Sequence, residues 1–125
     1  MRGCYLRRNS WLKTIYIAKF KEKIVDEYGN YIDTYEEPKK YEMNVQPLNG
    51  GIEIETYGSR AMQIQKAICR SEEYAGKFHE NDVAYLENQT PDGESVHGDN
   101  ANYRIDSVLT QNKCIAIYFE KRAGR

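Results

Sequence analysis

Residues 102–121 read N-Y-R-I-D-S-V-L-T-Q-N-K-C-I-A-I-Y-F-E-K, and this stretch decides the fold. Tyr103, Ile105 and Ser107 alternate with Arg104, Asp106 and Val108. Ile115, Ile117 and Phe119 alternate with Ala116, Tyr118 and Glu120. Period-two alternation of β-branched and aromatic residues is the pattern of half-buried strands. The join Thr110-Gln111-Asn112 is short and polar, which predicts an antiparallel hairpin.

Working outward, Leu12 to Ile24 also reads as a strand, with Tyr16, Ala18 and Phe20 on one face and Ile15 and Ile17 on the other, followed there by Lys19, Lys21 and Lys23. Tyr41, Met43 and Val45 alternate with Glu42, Asn44 and Gln46, and Pro47 marks an edge or a strand end. Ile52, Ile54 and Thr56 alternate with Glu53 and Glu55. A short helical turn is expected near Tyr57 to Ala61, then a strand through Ile64 and Ile68, and a further short strand over Val83 to Leu86. The total is about six or seven strands with at most one short helix and long loops: a mainly β chain, a small antiparallel β-barrel or sandwich. A chain of 125 residues is expected to form a single domain, 1–125.

Three segments stand apart from the strands. Residues 1–11 are a basic arm in which Arg2, Arg7, Arg8 and Trp11 are interface candidates. Residues 26–38 suggest a hairpin extension, with Gly29-Asn30 at its turn and Tyr28, Tyr31 and Tyr35 as further interface candidates; its arms are expected at Val25 to Tyr28 and Tyr31 to Tyr35. Residues 87–101 are a long acidic loop, expected to stand exposed, with Asp92, Glu94, His97 and Asp99 as channel-loop candidates.

The net charge of −1 is unevenly spread. Residues 1–23 hold seven basic residues against Glu22, net +6, and residues 70–103 hold Arg70 and Lys77 against eight acidic residues, net −6. Opposed segments of this kind draw copies together head to tail, or simply solvate the surface. A near-neutral total argues against a dedicated duplex-DNA binder. Lys19, Lys21 and Lys23 around Phe20 fit either the solvent face of a strand or the basic stripe of an OB-like module for nucleic acid or a peptide. The eleven tyrosines suit strands and half-wet interfaces.

Catalytic and metal signals are sparse. His79 and His97 sit in polar surroundings, and the acidic loop lacks calcium-loop spacing. Cys4, Cys69 and Cys114 are far apart with no CxxC, so a zinc site is not expected and reduced thiols are the default. No phosphate-binding, dinucleotide or hydrolase motif is present. The expectation is a protein without enzymatic activity, cofactor or metal, and with no membrane segment.

Three stretches together resemble a family: Y-E-M-N-V-Q-P-L-N-G-G-I-E-I-E-T-Y-G-S-R at 41–60, L-E-N-Q-T-P-D-G at 86–93, and N-Y-R-I-D-S-V at 102–108 followed by I-A-I-Y-F-E-K at 115–121. They are similar to the head–tail joining proteins (stopper, head-closure or head-completion proteins) of tailed phages and prophages of Gram-positive bacteria. The resemblance implies a small β-barrel with a long loop, acting as a virion structural protein. It implies a homo-oligomeric ring in the neck, assembled in the host cytoplasm, that joins the portal or adaptor protein to a tail-proximal protein and closes the DNA channel. DNA would pass without sequence-specific binding. A tail-terminator-like ring is the alternative within this class.

Overall fold

The structure, a computed structural model, describes residues 12–48, 55–70, 76–111 and 114–122. Eight strands occur in the order β1 (Lys13–Ala18), β2 (Phe20–Val25), β3 (Tyr31–Tyr35), β4 (Lys39–Pro47), β5 (Ile64–Arg70), β6 (Val83–Tyr85), β7 (Tyr103–Gln111) and β8 (Cys114–Lys121). Six of them close into an antiparallel barrel in the order β1-β4-β5-β8-β7-β6, with β6 returning to β1. The remaining two, β2 and β3, form a separate two-stranded sheet. The architecture is therefore a barrel, not a sandwich.

The barrel interior collects the apolar faces of the strands, although on β5 Ala67 and Cys69 join the core while Ile68, one of the two residues on which the expected strand rested, is only partly buried. Ile15 and Ile17, Met43 and Val45, Ala67 and Cys69, Ala84, Tyr103 and Ile105, and Ile115, Ile117 and Phe119 share one core with Leu86 and Phe78. Phe78, from the turn before β6, packs edge-on against Tyr41 with ring centroids 5.2 Å apart. Truncating a residue such as Ile117 or Phe119, both fully buried, is expected to cost about 2–5 kcal/mol.

Four sequence expectations change in detail. The β7–β8 hairpin is present and runs to Gln111↔Cys114, but a bulge lies between Ile105 and Ser107. The extra residue, Asp106, shifts the phase, so Val108 turns onto the core while Ser107 faces outward beside Tyr57. The single strand expected over 12–24 is two strands, divided at Lys19. There the backbone changes partners: Phe20 N–H donates to Asp82 Oδ1 (2.8 Å) and Glu36 N–H donates to Lys19 O (2.8 Å). The hairpin arms are Phe20–Val25 and Tyr31–Tyr35, so the extension begins earlier than expected and residues 26–30 are its turn. Glu55 to Tyr57 are helical rather than a strand end, opening a nine-residue helical segment that finishes as a 3-10 helix, Gly58–Gln63; the other strand positions expected there, 52–54, lie outside the described residues.

Cys69 is a buried free thiol. Cys114 is disulfide-bonded, so the expectation of reduced thiols fails at that position.

Candidate functional site

The β2–β3 hairpin projects from the end of the barrel where β1 finishes, and it carries the largest cluster of exposed apolar side chains on the described surface. Its turn is built by Asp26. The Asp26 carboxylate accepts from Tyr28 N–H (2.9 Å) and Asn30 N–H (2.8 Å), and the Asp26 carbonyl accepts from Gly29 N–H (3.0 Å). Gly29 takes φ +84° to close the turn, a conformation that favours glycine. Ile24 pairs with Ile32 and Val25 with Tyr31 across the strands. Ile24 and Ile32 are each 41% exposed, Val25 57%, Tyr31 73% and Tyr28, at the turn, 81%.

The root of the hairpin is fixed from two sides. Asp82 is 3% exposed and spends both carboxylate oxygens on backbone donors, Phe20 N–H (2.8 Å) and His79 N–H (3.1 Å). Tyr35 packs edge-on against Phe20 at 6.0 Å and lies over Gly98. A small second core of Ala18, Val83, Tyr85 and Ala101, with Tyr16 and Tyr35 against it, fills the space between the outer face of the barrel and loop 87–101. Of the three tyrosines singled out in the extension, Tyr28 and Tyr31 therefore present a surface, while Tyr35 is an anchor. Burial pushes the Tyr35 hydroxyl above its ordinary pKa. Arg2, Arg7, Arg8 and Trp11 lie outside the described residues.

Loop 87–101 is more tightly held than its composition suggests. Tyr85 donates its hydroxyl hydrogen to Glu94 Oε2 (2.6 Å) and accepts from Gly98 N–H (3.0 Å). Glu94 also accepts from Gly98 N–H (3.4 Å) and Asn100 N–H (3.3 Å). Arg122 donates to the carbonyls of Gly98 (3.1 Å) and Ala101 (3.0 Å). Burial first, and then the Glu94 carboxylate, push the Tyr85 hydroxyl well above its ordinary pKa. Glu94 is thus committed to the loop's own structure, whereas Asp92, His97 and Asp99 face solvent. The sequence signal for a pinned loop was the Glu94-x-x-x-Gly98 spacing together with Tyr85, which composition alone does not single out.

At the other end of the barrel the start of β1 and the exit of β6 border a cleft of about 420 Å³. Leu12, Ile15, Val45 and Leu86 form its apolar part, and Lys13, Gln65, Glu87 and Asn88 part of its polar part. Glu87 and Asn88 have φ of +58° and +67°, and Gln89 N–H donates to Leu86 O (3.2 Å), which closes a tight turn. Asn102 staples this turn, its side chain accepting from Leu86 N–H (2.9 Å) and donating to Leu86 O (3.0 Å). Glu87, not a usual residue for this conformation, is held there by its hydrogen bond with Tyr103, whose hydroxyl also bonds Gln65. Burial and Glu87 push Tyr103 up to about 12.

On the outer face of β7 and β8 an ion-pair network straps down the helical segment. Arg60 contacts Glu120 (2.8 Å) and Asp106 (3.1 Å), Arg104 contacts Glu120 (3.2 Å), and Tyr57 donates to Asp106 (3.3 Å). These groups satisfy one another and read as structural. Of the basic stripe, Lys23 is paired with Asp33 at 3.1 Å. Among the described residues no group of three or more His, Cys, Asp or Glu side chains is placed to hold a metal ion, and no helix is long and apolar enough to cross a membrane.

No family model matches the chain, and no curated protein matches it. Among solved structures, the solution structure of protein SF1141 from Shigella flexneri 2a is similar, with a TM-score of 0.58 over 91% of this chain and 96% of that one. The two are 16% identical, so the likeness bears on fold alone.

Proposed function

We propose that this chain is a structural ring subunit of a tailed-phage neck, joining the head to the tail and closing the DNA channel. The observation that carries the reading is the hairpin: a barrel of modest size projects a ribbon bearing Ile24, Val25, Tyr28, Tyr31 and Ile32 into solvent. Exposed apolar clusters of this kind belong to interaction surfaces. Its base is held rigidly by Asp82, Phe20 and Tyr35, as suits a surface that must meet a partner at a defined angle.

The sequence resemblance supplies the setting, and the charge pattern is consistent with it. Asp92 and Asp99 are exposed on the acidic loop, where they would repel DNA phosphates at a channel wall or meet the basic segment of a neighbouring subunit. Isolated exposed ion pairs are worth about 0–1 kcal/mol each, so such contacts set register, while the aromatic and aliphatic residues of the hairpin supply most of the affinity. On this reading the protein has no catalytic role, and its partners are its own copies, a portal or adaptor protein and a tail-proximal protein.

The test is sedimentation velocity of the pure chain, alone and mixed with the portal complex and with tails from the same phage or prophage. The reading expects a ring, or a ring nucleated by the portal. A monomer that neither self-associates nor binds either component refutes it.

A further inference from the structure

We propose that the β2–β3 hairpin is a ribbon with two open edges that is completed by a second copy of this chain, β2 of one subunit adding antiparallel to β3 of the next. This names the surface through which the proposed ring closes, and it rests on that reading for the ring though not for the pairing itself.

The backbone states the need. The barrel is closed, so each of its strands has two neighbours, whereas among the described residues β2 and β3 have only each other. Asp26 N–H donates to Asn30 O (2.9 Å), which makes Asp26 and Asn30 a hydrogen-bonded pair. Alternation then makes Val25:Tyr31 and Lys23:Asp33 non-hydrogen-bonded pairs, whose N–H and C=O groups point outward along the two free edges. An isolated two-stranded hairpin is marginally stable in water, and a third strand is the usual remedy.

The side chains agree. Ile24 and Ile32 lie on one face of the ribbon and Val25 and Tyr31 on the other, all of them exposed. A ribbon lying on its own barrel needs one apolar face; a ribbon continued into a larger sheet and enclosed by neighbours uses both.

Charge identifies the partner. Lys19, Lys21 and Lys23 line β2 and its approach against Glu22, whereas β3 and its connection through Pro38 carry Asp33, Glu36 and Glu37, and the next basic residues are Lys39 and Lys40 at the start of β4. Inside one hairpin the two signs already meet, Lys23 Nζ with Asp33 Oδ1 at 3.1 Å. A copy in the same orientation repeats that match across the outer edge, because β3 beside the next β2 is again antiparallel. Pairing β3 with β3 would oppose acidic residues, and pairing β2 with β2 would oppose lysines, a common protection of edges. The match is therefore heterologous, the type that closes a ring by rotation.

The experiment uses the full chain with Lys23→Glu, the full chain with Asp33→Lys, and an equimolar mixture of the two. Each variant alone places like charges at every junction, while alternating copies restore opposite charges at all of them. Sedimentation is expected to show the concentration for half-assembly raised about tenfold or more for each variant alone, and most of that loss recovered in the mixture. Variants that assemble like the wild type overturn the pairing while leaving assembly through another surface standing; a wild-type chain that stays monomeric at every concentration, both alone and with the portal complex and tails, overturns both. Because either variant also breaks the pair inside its own hairpin, hydrogen exchange on the wild type gives an independent reading. The amides of Lys23, Val25, Tyr31 and Asp33 should be protected in the assembly and exchange quickly on dilution, and equally fast exchange in both states overturns the proposal.

Discussion

Gly98 is where the hairpin and the acidic loop meet, and Gly98→Ala tests that coupling. Its φ is +84°, and a Cβ there would sit 2.5 Å from Tyr35 Cδ2, 2.9 Å from Cγ and 3.2 Å from Cβ. The ring cannot yield by a small rotation, because the nearest atoms run back to its own Cβ. Two costs add. The left-handed conformation costs an alanine about 1–2 kcal/mol, partly offset by about 0.4–1 kcal/mol from the stiffer unfolded chain. Displacing Tyr35 strains or loosens its packing on Phe20 and the second core, about 1–3 kcal/mol by analogy with overpacked sites. The net expectation is about 2–4 kcal/mol. Gly93→Ala is the control, since Gly93 has φ +82° with nothing within 4 Å of its Cβ, so it incurs only the conformational cost, about 1 kcal/mol. Urea unfolding of both variants beside the wild type measures the difference. If the two lose the same stability, Tyr35 does not pack on Gly98 as described and the coupling of hairpin to loop is wrong.

Tyr85→Phe removes the hydroxyl that serves both Glu94 and Gly98 N–H; it should cost about 1–3 kcal/mol, and amide exchange at Gly98 and Asn100 should quicken more than in the barrel strands. Asp82→Ala leaves Phe20 N–H and His79 N–H without their carboxylate; about 1–3 kcal/mol is expected, with NMR shift changes concentrated at the hairpin root and none at the β5–β8 pairing. The pH dependence follows from Tyr35, Tyr57, Tyr85 and Tyr103, whose folded pKa values all lie above the ordinary 10.0. The folded state holds these protons more tightly, so their contribution is fully present below pH 10 and is lost as pH rises through the folded values. Thermal melting between pH 8 and 11 should show stability falling above about pH 10, with a shallower fall in Tyr103→Phe, and a flat profile would contradict these environments.

The barrel was legible because its strands obey period two: Ile115, Ile117 and Phe119 fill the interior as their spacing requires. The exposed tip was legible too, in Tyr28-Gly29-Asn30-Tyr31. What alternation could not display is where the phase or the partner changes. The bulge at Asp106 moves Val108 inward, yet nothing in the D-S-V sequence distinguishes a bulged residue from a regular one. The break at Lys19 depends on Asp82, which holds Phe20 N–H from 62 positions further along the chain. Tyr35 and Glu94 look like surface residues by composition, and only long-range contacts, with Gly98 for Tyr35 and with Tyr85 for Glu94, make them structural.

The central claim is that this barrel exists to assemble through its projecting hairpin. Electron cryomicroscopy of particles formed by the purified chain, alone or on its portal, tests it most directly. The account predicts a closed ring in which Tyr28, Tyr31 and Val25 of each subunit are buried against a neighbour. A ring whose hairpin tips stand free in solvent, or a chain that forms no particle under either condition, would contradict it.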